Sequence, residues 1–332
     1  MHIGPGFLSP PVWGAMAAAG GAAVAGSLAV AGRRLDERKV PLMGVMGAFV
    51  FAAQMVNFPV LPGTTGHLGG GFLLGVLFGA PVGIIIMASV LVVQSLVFQD
   101  GGVEALGANI VAMGVVPCLL GAAVRGLWRN RPRVAAVASF VGATAAVVLG
   151  ATLVLAGLAL SGTSARLAEG RTFLYALGLM DGIHLAIGVV EGLISVAVIR
   201  FVIQMRPEAV WGDAAAPVPA ASGGLRRYNR ATLAVGCAVV LFVGGGLSYF
   251  AATAPDGLEK AAEELGLEPA YAAPVAPPPS LFDEYSLRGI ENAFLGNAVA
   301  GIAGSLVVLA ALLAVAALLM RRRRAHEAAG SA

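Results

Sequence analysis

The sequence of 332 residues contains only two cysteines, and only 12% of its residues are charged. Cys118 and Cys237 both lie within predicted membrane spans, so they indicate neither a disulfide framework nor a paired metal site. The sequence also lacks the motifs GxxxxGK[ST], HExxH and GxSxG. Because these motifs bind nucleotide phosphates or carry hydrolytic chemistry, we predict that the chain is not an enzyme and has no ATPase of its own.

A removable signal peptide is not indicated either. No basic region and no A-x-A-like cleavage site precede the first apolar stretch. In addition, His2 is too bulky for the usual removal of Met1. We therefore expect the amine of Met1 to remain as the N-terminus of the mature protein.

The sequence is instead rich in apolar residues. Hydrophobic residues make up 58% of it and its mean hydropathy is +0.86, which is typical of polytopic membrane proteins. The net charge of +3 would suit a nucleic-acid ligand, but the distribution of the charge argues against one. Of the 21 Lys and Arg residues, 17 fall in four clusters between apolar spans, as expected for cytoplasmic loops. The clusters are Arg33–Lys39, Arg125–Arg133, Arg200–Arg230 and Arg321–Arg324.

These clusters predict an all-α polytopic protein of the cell membrane, with the N-terminus outside and the C-terminus in the cytoplasm. The first part is predicted to be a seven-span bundle with a broken third span. Residues 69–98 would measure about 45 Å as one helix, which exceeds a hydrocarbon core of about 30 Å. A break at Gly79-Ala80-Pro81 keeps the second basic cluster on the cytoplasmic side. The predicted spans are Pro10–Gly32, Val40–Phe58, Gly69–Gly79, Val82–Phe98, Ala108–Gly126, Val134–Leu160 and Phe173–Ile203.

The chain is predicted to contain two domains. Residues 1–206 form the seven-span domain, and residues 207–225 form a cytoplasmic linker rich in Ala, Pro and Gly. Residues 226–332 contain two further spans, Ala231–Phe250 and Ala293–Met320, separated by an outer loop. The loop carries eight acidic and two basic side chains, and its three consecutive prolines argue against a compact domain.

The first two residues could chelate a metal ion. A His at position two lets the amine of Met1, the backbone nitrogen of His2 and its ring nitrogen Nδ1 bind one ion in a plane. His67, in a Gly/Thr-rich loop, could fill the fourth position in that plane. Square-planar nitrogen sites select Cu²⁺ or Ni²⁺, with Co²⁺ a weaker candidate, whereas Mg²⁺ and Ca²⁺ prefer oxygen. The alternative is that a His at position two has no such role.

Three ionisable residues lie in the last span of the first domain, namely Asp181, His184 and Glu191. His184 and Glu191 are seven residues apart and therefore share a helix face. Ionisable groups inside a membrane are expensive to bury and are often functional, so a proton relay is one interpretation. A hydrogen-bonded pair that locks helix packing is the other. Gln94 and Asn109 are buried amides that could join helices or support the metal ligands.

Several segments of the sequence carry a resemblance to a known family. They are Met1–Ile3, Asn57–Val60, Gly63–Leu68, Gly101-Gly102, Leu106–Asn109 and His184–Gly188 followed by Glu191. These segments resemble the CbiM/NikM family, the substrate-binding components of energy-coupling-factor importers for cobalt and nickel. The C-terminal motif Pro255-Asp256-Gly257-Leu258-Glu259 is similar to the signature of the companion CbiN/NikN component, a two-span protein with an outer loop. The resemblance covers about residues 1–205 and 226–320.

The resemblance implies that Met1, His2 and His67 bind the metal. It also implies partners: a CbiQ/NikQ-like transmembrane coupling subunit and CbiO/NikO-like ATPase subunits. No cofactor is expected besides the transported Co²⁺ or Ni²⁺. Relatives commonly carry an acidic residue at position 5, where this chain has Gly4-Pro5-Gly6. The residues expected to surround the ligands are Asn57, Gln94, Asn109, His184 and Glu191.

The predicted function is therefore capture of a divalent cobalt or nickel ion at the outer face of the membrane. Two alternatives remain open: an ion-coupled secondary transporter that uses Asp181, His184 and Glu191, and a membrane metal sensor. We expect the outer loop of the second domain to assist metal delivery without forming the tight site, because its carboxylates compete poorly with nitrogen for Ni²⁺ or Co²⁺.

Overall fold

The protein is an all-α polytopic membrane protein. The computed structural model describes residues 1–35, 39–127, 132–163, 166–168, 170–205, 230–247, 254–271, 280, 282–283, 285–287, 289–290 and 292–330. It is 78% helical, and six helices within these residues are long and apolar enough to cross a membrane. The predicted linker at residues 207–225 lies outside the described part of the chain.

The first domain opens with a loop at residues 1–9 and continues as a helical bundle. Helices α4 and α5 each run on into a π-helical stretch, Gln94–Phe98 and Ile110–Val115 respectively. The longest pair, α7 and α8, pack along each other, and the Thr144 hydroxyl donates to the Gly188 carbonyl at 3.0 Å. The helices are α1 (Pro10–Arg34), α2 (Val40–Gln54), α3 (Gly71–Phe78), α4 (Ala80–Val93), α5 (Leu106–Asn109), α6 (Val116–Leu127), α7 (Pro132–Leu160) and α8 (Phe173–Met205).

The second predicted span, Val40–Phe58, is longer than the helix that the structure contains. Helix α2 ends at Gln54, and the chain then forms an antiparallel hairpin of β1 (Phe58–Leu61) and β2 (Thr64–Gly66). Pro59 lacks an amide hydrogen, so it cannot continue a helix. Gly63, with a φ of +70°, supplies the left-handed backbone of the turn. The hairpin leads directly into the loop that holds His67.

The helix after this loop is interrupted at Gly79. Helix α3 ends at Phe78 and α4 begins at Ala80, because Gly79 adopts a φ of +81° and a ψ of 163° that no helix allows. Five of the six long apolar helices fall within residues 1–205. The seven-span count and the broken third span therefore remain predictions, since α2 and α3 are shorter than a complete crossing.

The second domain supplies two apolar helices and a polar segment between them. Helix α9 (Arg230–Leu241) continues as a π-helical stretch to Gly246, and α11 (Ala293–Gly330) extends ten residues past the predicted end of its span. Between them lie helix α10 (Gly257–Leu265) and a two-stranded hairpin of β3 (Phe282–Asp283) and β4 (Ser286–Leu287). Helices α9 and α11 both pack against α2 of the first domain. The two domains thus form one continuous bundle.

Candidate metal centre

The N-terminal loop is held against the bundle by backbone hydrogen bonds. Asn109 brackets Ile3: its side-chain oxygen accepts from the Ile3 amide at 2.9 Å, and its nitrogen donates to the Ile3 carbonyl at 3.4 Å. The Gly102 amide also donates to the Ile3 carbonyl, at 2.9 Å. Three residues further on, the Gly6 amide donates to the buried carboxylate of Glu104 at 2.8 Å. Asn109 therefore holds the N-terminal loop in place through hydrogen bonds to the backbone of Ile3.

The glycine at position 6 has a structural reason. Gly6 adopts a φ of +77°, and a Cβ at this position would lie 2.6 Å from the carbonyl oxygen of Tyr271. The Gly6 carbonyl in turn accepts hydrogen bonds from the amides of Ala270 and Tyr271, at 2.9 and 3.0 Å. The second domain therefore approaches the N-terminal loop so closely that only glycine fits at position 6.

His67 lies in the loop between β2 and α3, and Glu191 of helix α8 holds that loop in place by hydrogen bonds. The two carboxylate oxygens of Glu191 accept from the amides of Gly69 at 2.7 Å and Gly70 at 3.0 Å. Glu191 is 2% exposed, so this bidentate contact is shielded from solvent. A buried carboxylate is tolerated where it accepts such hydrogen bonds. Glu191, identified from the sequence as a candidate, thus positions the His67 loop.

The Met1 amine meets His67 at the centre of the candidate site. The Met1 nitrogen lies 3.1 Å from Nε2 of His67, and both residues are buried. Nδ1 of His67 lies 3.2 Å from the carbonyl of Leu68 and donates to it, which leaves the lone pair on Nε2 facing the amine. The His2 ring stacks on the His67 ring with centroids 5.3 Å apart and planes inclined by 17°. The three residues predicted to bind metal are therefore neighbours.

The His2 ring has oxygen acceptors on both sides. Nε2 lies 3.2 Å from the side-chain oxygen of Gln94, and Nδ1 lies 3.2 Å from a carboxylate oxygen of Asp100. A neutral imidazole carries one hydrogen, so it satisfies only one of these two contacts. If Nε2 donates to Gln94, the Nδ1 lone pair faces a carboxylate, which is unfavourable. Chelation through Nδ1 requires the ring to leave Asp100, and it would relieve this mismatch.

Both imidazoles are held in the neutral form that a metal ligand needs. Burial lowers the pKa of His67 well below its ordinary value, and the Met1 ammonium and His2 lower it further. Burial also lowers the pKa of His2, although Asp100 opposes this effect. Neutral rings present a lone pair to an ion without first losing a proton.

A chain of side-chain amides connects the two histidines, and one of its members was not predicted. Gln94 lies beside His2 and donates to the Gln54 oxygen at 2.7 Å, and Gln54 donates to the Gly69 carbonyl at 2.8 Å. Gln94 also donates to the hydroxyl of Tyr285, at 2.9 Å. Gln54 ends an apolar helix, so its sequence context gave no sign of this role. Gln94 contacts His2 directly, and its role as a support for a metal ligand remains a prediction.

The second domain contributes a carboxylate to this centre that sequence reasoning missed. Asp256 begins α10: its Oδ1 accepts from the amides of Leu258 at 2.8 Å and Glu259 at 2.9 Å, and the Glu259 side chain accepts from the Asp256 amide at 2.9 Å. Its other oxygen, Oδ2, forms an ion pair with the Met1 ammonium and lies 3.9 Å from Nε2 of His67. The available signal was the Asp-x-x-Glu pattern of a capping box, which predicts a helix start.

The ion pair with the Met1 ammonium favours the deprotonated form of Asp256. Burial alone would raise the pKa of its carboxyl group, but the Met1 ammonium and His67 lower it, and the resulting pKa lies below the ordinary value. The carboxylate is therefore ionised at neutral pH.

Among the described residues, Asp181, His184 and Asn57 form no hydrogen bond to Met1, His2 or His67. Asp181 accepts from the hydroxyl of Thr152 at 3.1 Å, and Nδ1 of His184 lies 2.8 Å from the carbonyl of Met180. Nε2 of His184 is buried and has no hydrogen-bond partner among the described residues. Asn57 lines the larger of two cavities at the site. In the described part of the chain, Asp181, His184 and Glu191 each bond to a different neighbour and not to one another.

Two cavities adjoin the site, and His67 and Asp256 line both. The larger, of about 460 Å³, is also lined by His2, Asp100 and Glu259. The smaller, of about 20 Å³, also contacts Met1, His184 and Glu191. Within the described residues no three His, Cys, Asp or Glu side chains are grouped so that they could hold a metal ion.

Comparison with known proteins gives matches over both domains. The family model for the cobalt uptake substrate-specific transmembrane region (CbiM) matches residues 2–209, and the PDGLE domain matches residues 230–321. The chain is 29% identical over 339 residues to the fused nickel transport protein NikMN of Rhodobacter capsulatus, covering 94% of this chain and 96% of the relative. A fused relative from Archaeoglobus fulgidus, whose name also assigns it to nickel transport, is 34% identical over 320 residues, covering 93% and 96%.

A solved structure also resembles the first domain. The crystal structure of a truncated transition metal transporter superposes with a TM-score of 0.52 and 30% sequence identity, and it covers 62% of this chain and 99% of its own.

Proposed function

Because the chain belongs to the family of cobalt uptake substrate-specific transmembrane regions, we propose that it captures Co²⁺ or Ni²⁺ for an energy-coupling-factor importer. The ion is the transported substrate and is bound by four nitrogens in a square plane. These are the amine of Met1, the backbone nitrogen and Nδ1 of His2, and Nε2 of His67. The chain itself is a transport component and not an enzyme.

The contact between the Met1 amine and His67 carries this proposal. Two nitrogens bound side by side to one ion at about 2.0–2.1 Å, in a square arrangement, lie about 2.9 Å apart. The Met1 nitrogen and His67 Nε2 lie 3.1 Å apart, within 0.2 Å of that spacing. Their surroundings are buried and fixed by Glu191 and Asn109, so the two nitrogens are already close to a ligating geometry.

The donor set favours late divalent transition metals. Four nitrogens in a plane suit Ni²⁺ and Cu²⁺, and Co²⁺ is also accepted. The His2 backbone nitrogen must lose its proton to bind, and the resulting negative charge reduces a divalent centre to about +1. The two full-length relatives compared above carry nickel transport names, which supports Ni²⁺ as the first metal to test.

Transport requires partners that the chain does not contain. We propose a CbiQ/NikQ-like coupling subunit and CbiO/NikO-like ATPase subunits, with the N-terminus of this chain outside and its C-terminus in the cytoplasm. Helix α1 leaves Ala18, Ala22 and Gly26 exposed along one face. Such a stripe of small residues allows another membrane helix to approach closely, so this face is a candidate contact for the coupling subunit.

The rival proton-coupled mechanism has less support. A relay through Asp181, His184 and Glu191 needs these groups to exchange protons, yet each contacts a different neighbour. A metal sensor would share the binding site but would move no ion.

Metal uptake by cells tests the three possibilities. The chain is expressed alone, with the coupling subunit and ATPases, and with ATPases that cannot hydrolyse ATP. We expect Ni²⁺ accumulation only with active ATPases. Accumulation by the chain alone would contradict the proposal and favour a secondary carrier. Binding without accumulation in any combination would favour a sensor.

A further inference from the structure

Asp256 lies beside two of the four nitrogens and is held there rigidly. One of its oxygens, Oδ1, is fixed by two amides of α10, while the other, Oδ2, faces the site. Oδ2 contacts the Met1 nitrogen and lies 3.9 Å from Nε2 of His67. The carboxylate therefore has one oxygen anchored in the second domain and one oxygen directed at the ligands of the first.

The segment that carries Asp256 is itself docked on the metal-binding loops. The Thr65 amide donates to the Pro255 carbonyl at 3.0 Å, and the Thr65 hydroxyl donates to the Ala254 carbonyl at 2.9 Å. Thr65 lies two residues before His67 and belongs to β2. Two bonds thus tie the residues before Asp256 to the strand before His67, so the carboxylate and the imidazole are positioned by one local framework.

The expectation from the sequence was that the outer loop of the second domain leaves the tight site alone. We propose instead that Asp256 binds the captured ion as an additional axial ligand, so that the second domain completes the metal centre. This proposal rests on the nitrogen site proposed above. Four nitrogens would occupy the plane around the ion, so an oxygen beside both the Met1 amine and His67 has only a position above or below that plane. An axial oxygen is acceptable to Ni²⁺ and Co²⁺, which form five- and six-coordinate complexes as well as planar ones.

The charges of the centre also favour this arrangement. The Met1 ammonium and the Asp256 carboxylate together carry no net charge. When a divalent ion binds, the amine and the His2 backbone nitrogen each lose one proton to water, and metal–nitrogen bonds replace the two nitrogen–hydrogen bonds. The ion, the deprotonated His2 nitrogen and the carboxylate again sum to zero. A neutral centre costs less to bury than the charged centre that four nitrogens alone would form.

The coordination number of bound Ni²⁺ tests the proposal on the full-length chain. Four-coordinate planar Ni²⁺ is diamagnetic and shows a characteristic pre-edge feature in X-ray absorption, whereas five-coordinate Ni²⁺ does not show that feature and is normally paramagnetic. We expect the unmodified chain to hold five-coordinate Ni²⁺ with four nitrogens and one oxygen. Asp256→Asn should convert it to the planar form and weaken affinity about 3- to 10-fold.

The variants are chosen to keep α10 intact. Asn is as good a helix N-cap as Asp, and Asp256→Ser keeps a capping oxygen on a side chain too short to reach the amine. Glu259→Gln is the matched control, because it removes one negative charge from the same helix and the same cavity and keeps a side-chain oxygen that can accept from the Asp256 amide. We expect it to leave the Ni²⁺ spectrum unchanged.

The outcomes separate this proposal from the proposed function. Planar, diamagnetic Ni²⁺ in the unmodified chain, or an unchanged spectrum in both Asp256 variants, would overturn the axial ligand while leaving the nitrogen site in place. Failure of the unmodified chain to bind Ni²⁺ or Co²⁺ at all would instead refute the proposed function.

Discussion

The two apolar helices of the second domain and the polar segment between them contact the first domain in different ways. Helix α11 packs against α2 through buried side chains such as Val308 and Leu312. Within the second domain, Gly301 of α11 lies against the backbone of Gly244 in the stretch that follows α9. The docking segment, residues 254–271, also buries apolar side chains such as Leu258 and Leu265, and its helix α10 packs against α8. In addition it forms hydrogen bonds to the β2 strand, to the N-terminal loop and to the backbone at Ala168.

The apolar helices and the docking segment of the second domain therefore have different roles. Apolar helix packing anchors the second domain in the bundle, because the energy of such contacts scales with close-packed surface and not with direction. Hydrogen bonds are directional, so they can hold Asp256 at a defined distance from Met1 and His67. The helices should therefore determine stability, while the docking segment and the N-terminal loop should determine metal binding.

The largest effect is expected where the two domains meet, at the Met1 amine. Adding three residues before Met1 moves the amine away and shifts His2 to the fifth position, so that the new N-terminus cannot rebuild the chelate with His2. Ni²⁺ affinity should fall by at least about 100-fold, because two of the four nitrogens are displaced together. Titration of the purified protein with Ni²⁺ measures this. Removing the extra residues with a protease should restore binding, and full affinity with the residues attached would refute the amine as a ligand.

A smaller effect is expected from His67→Ala, which removes one ligand and leaves three. Affinity should fall at least about 10-fold while thermal stability changes little, since the loop is still held by Glu191. His184→Ala is the control from the neighbouring helix. It should act on stability or on uptake more than on equilibrium binding. If the two variants exchanged these phenotypes, the ligand assignment would be wrong.

The smallest effect on metal binding is expected from weakening the helix packing. Gly301→Ala adds a Cβ that collides with the carbonyl of Gly244. Overpacking of this kind typically destabilises a protein by about 1–3 kcal/mol, so the thermal midpoint in detergent should fall. Ni²⁺ affinity should stay within about two-fold. Gly178→Ala is the control, because no atom lies within 4 Å of a Cβ there. A large loss of affinity in Gly301→Ala alone would show that the two tasks are not separate.

The sequence indicated the helices, and Met1, His2 and His67 as candidate ligands, more clearly than the contacts around them. Long apolar stretches between basic clusters indicated the long helices, because a helix buried in lipid must be composed mostly of apolar residues. The sequence also indicated the interruption at Gly79, because Gly and Pro near each other favour a break in a helix. The hairpin after α2 was missed because β1 and β2 are four and three residues long.

The contacts between the domains could not be predicted in the same way. Gln54, Asp256 and Tyr285 reach the site from helices and loops that are distant in sequence, and each is joined to it by only a few atoms. Amino-acid composition and hydrophobic periodicity report the average environment of a segment. They do not report a single hydrogen bond or ion pair. The sequence therefore indicated that the outer loop between the last two predicted spans is polar. It did not indicate that one of the carboxylates in this loop contacts the Met1 amine.

The fixed N-terminal loop has a consequence for the thermodynamics of capture. A flexible peptide that begins Met-His must give up backbone freedom, of the order of 1–2 kcal/mol per residue, when it closes around an ion. Here Ile3 is bracketed by Asn109 and Gly102, and Gly6 is held by Glu104 on one side and Tyr271 on the other. Most of that ordering takes place when the protein folds. The ion then meets a chelate whose entropy is already reduced, so a larger share of the bond energy appears as affinity.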